Sequence, residues 1–186
     1  MPKAQNRSES RFERVVLPHL DAAYTLARYL LRDPSEAEDV LQEAILRAIQ
    51  YFHTLRRDAD ARAWLLAIVR RECYTAWGRR GGSMNTVSLD VGPDDDNSRV
   101  QLVDPGDSPE TQTERSLVRA KVIDAVDQLP EPLREVIVLR ELQQFSYEEI
   151  SEITDTPIGT VMSRISRART RLAESLRELA YSGEIS

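Results

Sequence analysis

Residues 146–172, SYEEISEITDTPIGTVMSRISRARTRL, decide the fold. They read as two helices joined by a tight turn. Ser146 and Glu149 have the spacing of a capping box, in which each side chain satisfies the other residue's backbone N–H, so a first helix starts at Tyr147. Asp155 and Thr156 end it. Pro157 suits the first position of the next helix, where its missing N–H costs nothing. On that second helix Ile158, Val161, Ile165, Ala168 and Leu172 recur at steps of three and four, a continuous apolar stripe. Thr160, Ser163, Arg164, Arg167 and Arg171 fall on the opposite face. A short helix, a turn and a basic helix with one buried face is the layout of a DNA-reading helix-turn-helix.

An arginine-rich amphipathic helix can equally be a solvated surface element. Two features weigh toward nucleic acid. Arg164, Arg167, Arg169 and Arg171 stand in a stretch, 157–173, without one acidic residue, although the whole chain carries a net charge of −6. The small residues Gly159, Thr160 and Ser163 lie near the helix N-terminus, the end that usually enters the major groove.

At 186 residues the chain can form one ordinary domain or two small ones, and 41% hydrophobic residues supply a core. Helical periodicity recurs while strand alternation is almost absent. The expected fold is all-α: two small helical domains joined by an acidic flexible linker, the second containing the helix-turn-helix. Cys73 is the single cysteine, which excludes an intrachain disulfide and a multi-cysteine zinc site, and it reads as a small buried residue. His19 and His53 give no basis for a metal centre, so no metal or cofactor is expected. No paired carboxylates in a pocket, nucleophile–base set or phosphate loop is visible, so no enzymatic activity is expected either. No apolar run follows the charged start, so no secretory signal is expected. The longest apolar run, 63–69, is far short of the ~20 residues of a membrane span. A soluble, cytoplasmic chain without membrane insertion is expected.

Charge is unevenly spread. Residues 1–80 carry fourteen basic and eleven acidic groups, residues 81–112 one against seven, and residues 113–186 ten against thirteen. Affinity for phosphates follows local charge, so the acidic total does not exclude nucleic acid. It does argue against tight unaided binding, and for a DNA reader that works within a larger assembly.

The first unit spans 10–80. A helix from Arg11 to Leu31, interrupted or bent near Pro18, turns Ala23, Leu26, Ala27, Leu30 and Leu31 inward. Asp33 and Pro34 are an N-cap and a first helical position. In the helix that follows, Ala37, Val40, Leu41, Ala44, Ile45, Ala48, Ile49 and Phe52 form the apolar set, and Glu36, Asp39, Gln42, Glu43 and Arg47 the other face. Acids near a helix start favour its dipole with no partner at all; alternatively the face docks a basic or polar helix of another protein. A polar connector with Arg56 and Arg57 leads to a third helix from Ala61 to Trp77, burying Leu65, Ile68 and Val69, with Trp64 as a packing residue. Arg70, Tyr74 and Trp77 make an outward row, extended by Arg71, Arg79 and Arg80. Cations attract phosphate and aromatic faces stack unpaired bases, so the row suits opened nucleic acid; Tyr74 and Trp77 as packing residues is the equal alternative.

Residues 81–112, with Gly81–Gly82 and Asp94, Asp95 and Asp96, break every periodicity and read as a linker. The second unit spans 113–180. Its first helix, Thr113 to Leu129, has Val118, Val122, Ala125, Val126 and Leu129 as core face. Pro130 and Pro132 mark a corner, a helix from Leu133 to Leu142 offers Val136, Ile137 and Leu139 to the core, and the helix-turn-helix follows. Residues after Leu179 are expected to fray.

Three stretches carry a family resemblance: AEDVLQEAILRAI (37–49), AWLLAIVRRECYTAWGRR (63–80) and LPEPLREVIVLRELQQFSYEEISEITDTPIGTVMSRISRARTRL (129–172). In that order and spacing the chain resembles an extracytoplasmic-function, or group IV, RNA polymerase sigma factor, which gives bacterial polymerase its promoter choice. The resemblance implies docking on the clamp helices of the polymerase core's largest subunit by Asp39, Gln42 and Glu43. It implies −10 recognition by the 63–80 segment, with its Arg70, Arg71, Tyr74, Trp77, Arg79 and Arg80, and by Arg56 and Arg57 just before it. It implies −35 contacts from Gly159, Thr160, Ser163, Arg164 and Arg167, with Arg171 on the same face and Tyr147 and Glu148 near the DNA backbone.

Two departures stand out. The family commonly has Asn where Arg71 stands and Asp where Thr75 stands, which puts the −10 preference in question. Met162 occupies a position where a basic residue is frequent, which removes one phosphate contact. The resemblance also implies an anti-sigma partner that covers the Asp39 face, the −35 helix, or both. On this reading two weak DNA grips become one strong bivalent grip once polymerase holds them at a fixed separation. The linker is expected to imitate the transcript in the polymerase's basic RNA path. A stand-alone helix-turn-helix regulator leaves the acidic docking face unexplained, and a protein-binding adaptor has no use for Arg164, Arg167 and Arg171.

Overall fold

The computed structural model describes residues 10–79 and 109–181, the side chains of 109–117, 119 and 178–181 excepted. Among the described residues every regular element is helical and no strand occurs. Arg80, the linker acids Asp94, Asp95 and Asp96 and the chain after Tyr181 lie outside them.

The opening helix is broken as its proline requires. Residues 10–15 form α1, a 3₁₀ turn follows over Leu17–His19, and α2 runs Leu20–Leu31. Pro18 has no N–H to continue an α-helical ladder. Arg32 ends α2 in the left-handed region at φ 63°, and the Arg28 guanidinium donates to its carbonyl at 2.7 Å. Asp33 then caps α3 (Pro34–Tyr51), accepting from the Glu36 N–H at 3.1 Å, with Pro34 in the first turn. After two 3₁₀ turns, Phe52–Thr54 and Asp58–Asp60, α4 runs Ala61–Arg79.

These helices bury Leu26, Leu30, Leu65, Leu66 and Val69, with Ala37, Ala44 and Ala48 of α3 letting the backbones approach. Phe12 and Trp64 meet Phe52 edge-on at 5.2 and 6.4 Å, which makes Trp64 the packing residue expected. Two expectations for α3 fail. Ile49 is 56% exposed, because the buried stripe Ala37–Val40–Ala44–Ala48 already fills the inward arc and Ile49 lies one residue beyond it. Arg47 turns from the outer face toward α4 and forms an ion pair with the buried Glu72 at 2.7 Å.

In the second unit α5 (Pro109–Gln128) starts inside the stretch read as linker. It meets the core at its C-terminal end, through Ala125, Val126 and the following Leu129. Val118 and Val122, placed in the core by their spacing, lie before that contact and are more than a third exposed. The short α6 (Glu131–Ile137) runs into a π turn over Val138–Leu142, and Leu133, Val136, Ile137, Val138 and Leu139 are all buried. α7 (Tyr147–Thr154) and α8 (Ile158–Tyr181) complete the chain.

The two units are docked. α6 packs on α2 and α7 on α4, and one apolar cluster runs through both. Polar contacts join them at the rim of that cluster: Arg134 donates to the Leu30 carbonyl and Arg32 to the Leu129 carbonyl, each at 3.4 Å. At the other side Arg62 stacks over Phe145, 4.6 Å from the ring centre, and donates to Gln143.

Candidate nucleic-acid and partner interfaces

The helix-turn-helix is built by local bonds. Ser146 Oγ accepts from the Glu149 N–H at 3.2 Å and Glu149 Oε2 accepts from the Ser146 N–H at 2.8 Å, the reciprocal box expected from their spacing. Asp155 closes α7 in the left-handed region at φ 50°, a conformation Asp tolerates better than most residues. Ser151 secures the turn from both sides: its carbonyl accepts from the Thr156 N–H at 3.1 Å and its hydroxyl donates to the Thr156 carbonyl at 2.6 Å. The Pro157 carbonyl accepts from the N–H groups of Thr160 and Val161, so Pro157 stands just before α8 and not in its first position.

Val161, Ile165 and Ala168 of α8 are buried, and Leu172 packs at the edge of the core. Ile158, read as the start of this stripe, is 41% exposed, since its turn precedes the packed part of the helix. Gly159 is exposed, and a Cβ there would touch nothing within 4 Å. Thr160, Ser163, Arg164 and Arg167 are half-buried and Arg171 is exposed. Tyr147 is half-buried beneath Arg140, whose guanidinium lies 4.8 Å from its ring centre, while Glu148 is open to solvent. Arg169 is held by Glu141 at 2.9 Å.

The Arg/aromatic row of α4 divides. Arg71 and Arg79 are exposed, as are Arg56 and Arg57, the latter paired with Asp60 at 2.8 Å. Arg70 and Tyr74 do not face outward, because α6 of the second unit covers them. Arg70 Nε lies 2.6 Å from Glu135 Oε1, and its guanidinium stacks over the Tyr74 ring at 4.5 Å. The Tyr74 hydroxyl donates to Glu131 and also lies 3.3 Å from Glu135 Oε2. Trp77 is half-buried and edge-on to Tyr74 at 5.7 Å.

This covering shifts the acids. Burial, then the neighbouring Glu135 charge, pushes the Glu131 carboxyl up to about 7. Burial also raises Glu135, against the opposing pull of Arg70. Arg134 on the same helix is lowered to about 10 by burial and by Arg32. Cys73 behaves as expected of a buried thiol, pushed up to about 12. The residues missed by sequence reasoning are therefore Glu131 and Glu135. Their signal was present: two acids one turn apart on a helix whose other residues are mostly core.

α3 presents the third surface. Asp39, Gln42 and Glu43 are exposed in a row, and the row continues into Leu46 and Ile49, 61% and 56% exposed. The face is thus acidic at one end and apolar at the other. Neither leucine nor isoleucine was assigned to it from the sequence. Among the described residues no cluster of three or more metal-ligating side chains occurs and no helix is long and apolar enough to cross a membrane.

Comparison with known proteins joins these surfaces. The profile for Sigma-70 region 2 matches residues 15–82, and that for Sigma-70, region 4 matches residues 119–172. The ECF RNA polymerase sigma-E factor of Haemophilus influenzae is 34% identical over 180 residues, covering 95% of this chain and 89% of that protein. The RNA polymerase sigma-H factor of Pseudomonas aeruginosa is 31% identical, with 95% and 92% covered. Among solved structures, the sigma factor RpoE in complex with the anti-sigma factor NepR from Bartonella quintana superposes with a TM-score of 0.66 at 27% identity, covering 89% of this chain and 96% of that one. CnrH in complex with the cytosolic domain of CnrY gives 0.60 at 22% identity, covering 90% and 88%, a likeness of fold. With the helix-turn-helix inside the second match, the Arg/aromatic helix inside the first, and relatives aligned over nearly the whole length, the chain belongs to the extracytoplasmic-function family of RNA polymerase sigma factors.

Proposed function

We propose that this sigma factor docks on the clamp helices of the polymerase core through the outer face of α3, reads the −35 element with α8 and engages the opening −10 element with α4. The carrying observation is the state of α3. Docking of the two units covers part of α4 and leaves Asp39, Gln42, Glu43, Leu46 and Ile49 open. A face acidic at one end and apolar at the other fits a helix that carries both basic and aliphatic side chains.

Within α8, Gly159 lets the DNA backbone approach closely, and Thr160, Ser163, Arg164 and Arg167 reach base edges and phosphates, with Arg171 adding phosphate attraction. Tyr147 and Glu148, at the N-terminus of α7, lie beside the backbone. On α4 and its connector, Arg56, Arg57, Arg71 and Arg79, together with Arg80 outside the described residues, supply phosphate attraction while Arg70, Tyr74 and Trp77 receive unstacked bases. The functional units are residues 10–80 and 113–180, joined by the acidic stretch 81–112. An anti-sigma partner controls the factor by covering the α3 face, α8, or both; the solved RpoE relative was crystallised with such a protein.

Run-off transcription with sigma-free polymerase core tests the reading. Specific transcripts are expected only when this protein is added. Footprinting of a promoter by the protein alone, at the affinity of the holoenzyme, would favour a stand-alone regulator instead.

A further inference from the structure

Two large apolar side chains stand open on the helix that the reading above places in the −35 element. Ile158 and Met162 of α8 are 41% and 44% exposed, and at one turn apart they form a single patch on one face. Gly159 and Ser163 line the strip beside it, also one turn apart. A Cβ at Gly159 would touch nothing within 4 Å, so the backbone at the edge of the patch is open to close approach. The polar groups of the same turns are largely committed. The Ser163 hydroxyl donates to the Thr160 carbonyl at 3.1 Å. Arg164 has its Nε buried and its charge bearing on Glu131 and Glu135 of α6.

What these two turns offer outward is therefore mainly aliphatic surface, set in a stretch, 157–173, that has no acidic residue to repel phosphate. Such a surface has one chemical match on a duplex. The C5-methyl of thymine is the apolar group displayed in the major groove, and the N-terminal end of a recognition helix is the part that reaches base edges there. We propose that Ile158 and Met162 select thymine in the −35 element by packing against its C5-methyl group, so that part of the promoter preference is set by apolar contact and not by hydrogen bonds. The proposal rests on the assignment of α8 to that element.

The test uses the holoenzyme, this protein with polymerase core. Selection from a promoter library randomised over the −35 element is expected to return thymine at one or more positions. Deoxyuridine then replaces each thymine singly; it lacks the methyl group and keeps every other groove atom. A loss of about fourfold in affinity is expected at the contacted position, the size of one buried methyl group. Ile158→Ala combined with Met162→Ala is expected to bind the thymine and uracil forms alike, and Met162→Leu to keep the difference. An element returned without thymine, equal binding of both forms by the unsubstituted holoenzyme, or an undiminished difference in the double variant would each overturn the proposal. Weakened core binding by the double variant, with thymine discrimination kept, would make the patch a protein contact and overturn it likewise. A selection that returns no upstream preference at all would instead overturn the assignment of α8 beneath it.

Discussion

Glu131 makes the docked structure sensitive to pH, with a sign opposite to that of most surface carboxylates. Its carboxyl moves from an ordinary 4.5 to about 7 in the folded chain, through burial first and the Glu135 charge second. Between those values the folded chain holds a proton that the unfolded chain has released. Stability therefore falls as pH rises from about 4.5 through about 7, and levels off above that. A displacement of that size corresponds to about 3 kcal/mol, and partial access to solvent reduces it to about 2 kcal/mol. The groups facing the carboxyl are Tyr74 and Arg70 from α4, Glu135 and Arg134 from α6, and Arg164 from α8. The perturbation is Glu131→Gln, which cannot ionise and also relieves Glu135 of a neighbouring charge. Urea unfolding at pH 5 and pH 8 gives the comparison. The unsubstituted chain should lose about 2 kcal/mol more than the variant between the two. Equal losses would refute the reasoning, because the pH dependence would then come from other groups.

Other outcomes follow from single contacts. Ser146→Ala removes the oxygen that caps α7 and should cost about 1 kcal/mol of stability, read from denaturant midpoints. Gly159→Ala meets nothing within the fold and should raise stability by about 0.5–1 kcal/mol, yet weaken −35 binding by the holoenzyme in a gel-shift titration if DNA approaches that surface. Leu46→Asp, at a 61% exposed position, should change stability by no more than about 0.5 kcal/mol and cut polymerase-core binding about tenfold or more. Arg171→Ala should weaken promoter binding evenly across sequences and lower the salt slope by about 1.

The parts of the fold set by neighbouring residues were legible. The Ser146–Glu149 box, the Asp33 cap and the break at Pro18 each depend on atoms within four residues of one another, and each occurs as read. The α8 stripe was legible for the same reason, apart from Ile158, the exposed first residue of the helix. What escaped was set by distant segments. α4 is apolar on more than one side, with Leu65, Leu66 and Val69 buried and Trp64, Ile68 and Trp77 packed around them. A helix of that kind is covered from two directions, and spacing alone does not say by what. Arg70 and Tyr74 looked solvent-facing because the element that covers them lies more than fifty residues away. The outer face of α3 was half legible: Asp39 and Glu43 announce themselves by charge, with the polar Gln42 beside them. Leu46 and Ile49 read as core until α3 shows that its alanines suffice to fill the inward arc.

The chemistry of α6 explains how such a contact can be specific and still reversible. Seven residues carry two buried ions with different partners. Arg134 donates to the carbonyls of Asp127 and Leu129 at the end of α5 and to Leu30 across the interface, while Glu135 takes Arg70 of α4. Buried ion pairs contribute little net stability relative to apolar packing of the same volume, because desolvation offsets most of the attraction. They do impose geometry, since a misplaced partner leaves a charge stranded. An interface held this way selects one docked arrangement without making separation costly. When the units part, Arg70 and the carboxylates regain water and the desolvation cost is recovered. A purely apolar seam would have to expose its whole area to water instead. Of the two kinds of seam, the charged one opens at the lower cost.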